Sequence, residues 1–191
     1  MNQLYHGSPA LFDRFYLVAA GSATGVKFGY GVYLTESEAS AVHYSQPRNM
    51  PLTPQHYLYT VEVPALTDDN HLVSALPVAQ SIIERVESKL GITVPDDVRR
   101  QGKEFRKWTG CMLTGGKKAG LEEERAAAEF LDSIGVFCNV WPQAQTKPDG
   151  LKNMAVFNPD KVRIVRIEQI GITLKNGKHL LVEGSKKEIR L

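Results

Sequence analysis

The sequence predicts an α+β protein, and three observations carry that expectation. Short runs of extended character stand near the start ("QLYHGSP", "HYLYTVEVPA") and again near the end ("NMAVFNP", "KVRIVRIEQIGITL"). Between them, residues 77–134 follow a helical period. Strands are thus segregated around a helical middle instead of alternating with helices, which separates α+β from α/β.

Taken in order, "QLYHGSP" reads as a strand ended by Gly7, Ser8 and Pro9, and a loop around "GSATG" follows. "FGYGVYLTES" then extends with Gly29 and Gly31 where β-branched residues would pack better, which suggests a bulge or a ligand close to the backbone, with Gly31 as a floor and Tyr33 as a wall. "TESEASAVHYS" opens with Thr35 and Glu38 at capping-box spacing and predicts a short helix. Pro64 closes the strand "HYLYTVEVPA". Residues 77–90 carry Val78, Ile82, Ile83, Val86 and Leu90 as an amphipathic stripe that stops at Gly91. A second helix is expected over 95–108, and a third over 121–134 with acids in its first turn and Gly135 as its stop. "GVFCNVW" and "NMAVFNP" read as strands, as does "KVRIVRIEQIGITL", with a hairpin turn at "KNGK" before "HLLVEG".

A chain of 191 residues suits one domain, 1–191, with 77–120 as a helical insertion. No apolar run approaches the ~20 residues of a membrane helix, so no membrane partner is expected. Cys111 and Cys138 have no metal or redox spacing, and the N-terminus has no secretory pattern; a cytoplasmic protein without a metal is the expectation. Charge is uneven within a net of +2. Residues 99–118 hold Arg99, Arg100, Lys103, Arg106, Lys107, Lys117 and Lys118 against Glu104 alone. With Phe105 and Trp108 inside it, this block either contacts phosphates and stacks on bases or is a solvated helix face whose aromatic rings point inward.

Singly, His6, Tyr33 and Tyr44 are ordinary residues. Their order is not: "YHGS", then "GYGVYLT", then "ASAVHY", then "NMAVFNP". This succession resembles the ADP-ribosyltransferases of the diphtheria-toxin and poly(ADP-ribose) polymerase type. His6, Gly7 and Ser8 match the His-Gly-hydroxyl strand; Gly31, Tyr33, Ala41 and Tyr44 match the Gly-x-Tyr strand and the helix ending in a second tyrosine. Asn153 to Asn158 match the third strand, with Asn153 where the family carries glutamate. "AAAEFLDSIGVFCNVW" is similar to an element of bacterial and phage members. The likeness spans roughly 4–168 without the middle helices.

The resemblance implies two packed antiparallel sheets forming an NAD cleft, with flanking helices and NAD as substrate. In that cleft His6 and Ser8 would bond ribose hydroxyls, the Gly7 backbone would hold the nicotinamide amide, and Tyr33 and Tyr44 would sandwich the ring. Loss of nicotinamide develops an oxocarbenium-like cation, which a glutamate stabilises; Asn153 keeps the hydrogen bonding without charge or base. Asp149 and Glu62 are the acidic substitutes to consider. The implied activity is mono-ADP-ribosylation of a macromolecule, with nucleic acid favoured over protein because of Arg99, Arg100, Arg106, Lys107 and Trp108. Such a chain fits a bacterial or phage toxin or defence effector, with an inhibitor or antitoxin protein as a further partner. NAD hydrolysis, NAD or ADP-ribose binding without catalysis, and RNA 2′-phosphotransfer are the competing readings.

Overall fold

A computed structural model describes residues 3–17, 26–46, 52–143 and 150–190. The fold is α+β. Its large sheet runs β10-β7-β3-β1-β2-β6-β5-β4, and a separate hairpin pairs β8 with β9. The strands are β1 Leu4–Ser8, β2 Val32–Thr35, β3 His56–Glu62, β4 His71–Val73, β5 Cys138–Pro142, β6 Lys152–Val156, β7 Arg163–Ile170, β8 Ile172–Lys175, β9 Lys178–Leu181 and β10 Lys187–Ile189. The helices are α1 Glu38–Tyr44, α2 Gln80–Leu90, α3 Asp96–Arg99, α4 Gly102–Thr114 and α5 Leu121–Ser133.

Two packed antiparallel sheets were expected; the strands instead form one connected, mixed sheet, in which β4 and β5 run parallel. That sheet nearly divides in two. β1 pairs with β3 over five residues and β2 with β6 over four, whereas β1 and β2 meet only at Tyr5 and Thr35. The seam falls between the strands that carry His6 and Tyr33.

Local chemistry explains most boundaries. Ser37, not Thr35, caps α1, its hydroxyl accepting from the Ser40 amide at 3.2 Å, while Thr35 Oγ1 accepts from the Ser37 amide at 3.1 Å. Gly91 ends α2 in the left-handed region. The helix expected over 95–108 is two, because Arg100 and Gln101 break it ahead of α4. Asn176 and Gly177, at φ 51° and 73°, make the primed turn that "KNGK" predicts between β8 and β9.

Both faces of the sheet are covered. On one, Leu4, Val32, Leu34, Tyr57, Tyr59, Val61, Val140, Met154 and Val156 form a core with Phe12 and Phe15 of the β1–β2 connection. On the other, Ala41 and Val42 of α1 pack on Leu58 and Ile170. Ile82, Ile83 and Val86 of α2, Phe105 of α4 and Leu131 of α5 pack on Leu72 and Phe157, so residues 77–120 share a core with α5.

Gly7 is where α1 comes closest to the sheet. A Cβ there would lie 1.8 Å from the Ala41 carbonyl oxygen and 2.9 Å from the Ser45 amide. Gly7→Ala must therefore push α1 off β1, and urea unfolding is expected to show a loss at the upper end of overpacking costs, about 3 kcal/mol. A change within about 0.5 kcal/mol refutes this contact.

Candidate functional site

Strand alternation sorts the candidate residues. Tyr33 faces Ala155 and Thr35 faces Asn153 in register, and Trp141 stands opposite Asn153 on the next strand. Directly paired residues share a face, so Tyr33, Thr35, Asn153 and Trp141 lie together. Gly7 shares that face through Tyr5, which pairs with Thr35. The same face carries α1 at the β1–β3 side and the α2–α4–α5 layer at the β4–β5 side. Tyr33 and Asn153, both half-buried, stand on the strands between those two layers.

His6 and Ser8 project from the opposite face, beside Tyr57 and Tyr59 in register. The His6 ring meets Phe12, Phe15 and Tyr59 edge-on at 6.1, 5.1 and 6.1 Å between centroids. Its link to Tyr33 is through the backbone: His6 Nδ1 lies 2.9 Å from the Tyr33 carbonyl oxygen. A carbonyl only accepts, so Nδ1 carries the proton and the neutral ring keeps Nε2 as an acceptor. Burial lowers the His6 pKa below its ordinary 6.5, opposed by the bond to Tyr33. Ser8 is buried, and its Oγ accepts from the Ala10 amide at 3.0 Å, closing the turn after β1.

The glycines that prompted the idea of a ligand floor have internal reasons. A Cβ on Gly31 would lie 2.4 Å from the Val156 carbonyl oxygen, so β6, not a ligand, occupies that space. Gly29 has φ 114° and sits against the Arg106 guanidinium. The loop around it is pinned from several sides. Tyr33 donates its hydroxyl to the Gly29 carbonyl at 2.9 Å and accepts from the Phe28 amide at 3.3 Å. Asn139 Nδ2 donates to the Phe28 carbonyl at 2.8 Å. Burial raises the Tyr33 pKa, so its phenol stays protonated at neutral pH.

Tyr44 ends α1 with more than half its surface exposed, its ring 5.2 Å from that of His43. Of the acidic candidates, Glu62 is bound by Arg163 at the β3–β7 edge, away from Asn153. Asp149 lies outside the described residues. The sequence reading missed Glu36, which follows Thr35 and is tied to the residue before Asn153: Oε2 accepts from the Lys152 amide at 2.8 Å. It also missed Trp141, although alternation of buried Cys138 and Val140 with Asn139 and Trp141 signals a second face in "CNVWP".

Of the cations in the basic block only Arg106 is buried, and Arg99 and Lys107 are half-buried. Arg106 is fully buried, paired to Glu124 through Nε–Oε2 at 2.6 Å and Nη2–Oε1 at 3.1 Å, and its Nη1 has no partner among the described residues. Arg99 binds Glu87 at 2.8 Å and the Val94 carbonyl at 2.8 Å. Lys103 and Lys107 flank Glu104, Phe105 is buried and Trp108 packs on the same core. Arg106 is thus excluded as a phosphate contact, and Phe105 as a stacking surface; Arg100, Lys103, Lys117 and Lys118 remain exposed. Two surface depressions, one bordered by Arg85 and Glu84 and one by Tyr30 and Arg125, include none of the candidate residues.

Among the described residues no helix is long and apolar enough to cross a membrane, and no cluster of His, Cys, Asp or Glu is arranged to hold a metal. Cys111 and Cys138 are free thiols. Family models, curated proteins and solved structures contain no match to this chain.

Two outcomes follow from these geometries. His6 has a folded pKa below 6.5, so its neutral form stabilises the fold fully above pH 6.5, and that contribution is lost as pH falls from 6.5 to the lowered value. Nitrogen-resolved NMR is expected to show protonated Nδ1 and a midpoint below 6.5; a midpoint at or above it contradicts the burial. Replacing Arg106 by Met strands the Glu124 carboxylate and is expected to cost about 3–5 kcal/mol in urea unfolding, whereas Arg106→Met with Glu124→Leu recovers most of it. Equal loss in the single and double variants overturns the pairing account.

Proposed function

We propose that this chain is an NAD-dependent mono-ADP-ribosyltransferase acting on a macromolecular acceptor. The observation that carries the reading is the bond from His6 Nδ1 to the Tyr33 carbonyl, which ties the two motif residues together across the seam between β1 and β2. Through it His6, whose ring lies on the opposite face of the sheet from Tyr33, positions the Tyr33 backbone. Tyr33 offers a fixed ring for the nicotinamide, and Tyr44 at the end of α1 is its candidate partner. Asn153 shares a face with Tyr33, which supports giving it a ribose hydroxyl in this reading.

In the reaction, the bond between ribose C1′ and the nicotinamide nitrogen breaks, and its electrons leave with neutral nicotinamide. The acceptor's lone pair then bonds C1′ and its proton passes to solvent or to a base. Asn153 stabilises by dipole where the family uses charge, so the acceptor must need little activation. Glu36, whose carboxylate accepts from the amide of Lys152, is a carboxylate held beside that strand. The toxin or defence role and an inhibitor partner belong to the same reading. A second reading, NAD or ADP-ribose binding without turnover, is favoured by Asn153 itself.

The test is incubation with NAD labelled in its adenylate half, together with cellular RNA, DNA and protein, followed by the fate of label and nicotinamide. Label retained on one macromolecule supports transfer; nicotinamide release into water alone makes the chain a glycohydrolase; binding without release supports the second reading. His6→Ala and Tyr33→Ala are each expected to lower nicotinamide release on the order of 10²-fold with the fold retained. Wild-type release by either removes its assigned role.

A further inference from the structure

Phe105 and Trp108 are taken up by the core, but another pair of aromatic rings is not. Phe28 and Trp141 stack with centroids 4.3 Å apart and planes at 6°. Both are half-buried, at the side of the candidate site. Tyr33 meets the Trp141 ring edge-on at 5.6 Å, and Asn153 is the register partner of Trp141 on β6. The rings therefore form a stair that leads away from the candidate nicotinamide wall. Its last step is Phe28. One face of that ring is covered by Trp141, and over the ring lies the ammonium of exposed Lys27, 5.4 Å from the centroid.

Among the described residues, the ring contacts of Phe28 are the Trp141 stack and the ammonium of exposed Lys27. The Phe28 carbonyl is held by Asn139 and its amide by Tyr33. A planar group arriving there gains a preorganised stacking surface, and the displaced ammonium lies one residue away for an anion attached to that group. A planar heterocycle linked to a phosphate is a nucleotide.

We propose that Phe28, backed by Trp141, is the docking platform for an unpaired nucleobase of a single-stranded nucleic acid, whose adjoining phosphate pairs with Lys27. The base that docks there is a flanking one, since Trp141 separates Phe28 from Tyr33. This names the acceptor class for the transferase reading and rests on it for the word acceptor; the binding itself needs no NAD. Duplex bases are already stacked and offer no free face, so the platform selects single strands.

The experiment titrates a fluorescein-labelled mixed-sequence RNA octamer, its DNA equivalent and the duplex of the same sequence with the full chain, followed by anisotropy without NAD. Single strands are expected to bind in preference to duplex. Phe28→Leu is expected to weaken binding about tenfold, as for loss of one base–aromatic stack, with folding checked by circular dichroism and thermal melting. Lys27→Gln, at an exposed side chain, lowers the slope of log affinity against log salt by about one. In a Trp108→Phe background, quenching of Trp141 emission by the octamer reports stacking independently of either variant. Octamer binding that is absent, equal to duplex binding, or unchanged in Phe28→Leu overturns the proposal. So does displacement of the octamer by ADP-ribose, which assigns the platform to the adenine of NAD; failure of ADP-ribose to compete supports it. A chain that releases nicotinamide but ignores the octamer refutes this inference alone. One that binds the octamer through Phe28 yet never releases nicotinamide refutes the transferase reading and leaves the nucleobase site standing.

Discussion

The architecture depends on how a sheet is kept whole where its own ladder all but stops. Between β1 and β2 a single pair, Tyr5 with Thr35, joins two four-stranded halves. Backbone groups beyond that pair lose their cross-strand partners and must find others, since an orphaned buried carbonyl costs as much as a lost hydrogen bond. The Tyr33 carbonyl finds the His6 imidazole. One contact thus satisfies the strand, fixes which nitrogen of His6 is protonated, and sets the position of Tyr33 relative to β1. Burial among Phe12, Phe15 and Tyr59 keeps that imidazole neutral, so the arrangement is a dipolar bond and not a charge in the core.

A second constraint fixes the other end of β2. The segment before it makes a turn at Gly29 in a conformation that side chains resist, directly against the Arg106 guanidinium. The Arg106–Glu124 pair is expensive to desolvate and adds little stability over an apolar pair of the same volume. Its consequence is positional: a planar cation, gripped by two hydrogen bonds, supports the loop whose carbonyls receive Tyr33 and Asn139. Tyr33 is therefore held at both its backbone and its hydroxyl by groups from separate elements. A side chain held this way pays little ordering entropy on meeting a flat ligand.

Much of this was legible in the sequence, and the rest was hidden for physical reasons. α2 and α5 were readable because their apolar stripes are complete and their ends carry glycine or acidic first turns. The hairpin at Asn176–Gly177 was readable because two consecutive positive φ angles demand those residues. By contrast β4, three residues long, and its parallel pairing with β5 leave no periodic trace; only the register of distant segments creates them. The break between α3 and α4 carries no proline, and the capping role fell to Ser37 because Thr35 still belongs to the strand. Within the site, "YHGS" and "GVYLT" located the residues, yet sequence order does not reveal that His6 and Tyr33 project from opposite faces. That depends on pairing, and one residue of register reverses it.

The basic block shows how charge counting fails when it ignores helical phase. In α4 the buried positions are Gly102, Phe105, Arg106, Thr109 and Gly110, the spacing of one helical face. Arg106 belongs to that stripe, whereas Lys103 and Lys107 lie off it beside Glu104. The stripe is also where α4 and α5 nearly touch: a Cβ on Gly110 would stand 2.1 Å from the Glu123 carbonyl oxygen. Helices this close leave no room for water at the neighbouring turn. A cation placed there must be met by an anion from the facing helix, and Glu124, the next residue after that carbonyl, supplies it. Glycine at 110, arginine at 106 and glutamate at 124 are thus one device for bringing α4 against α5 and a guanidinium under Gly29. What the block lends to the site is support for its loop, while the exposed cation beside the aromatic rings is Lys27, a residue that charge density alone does not single out.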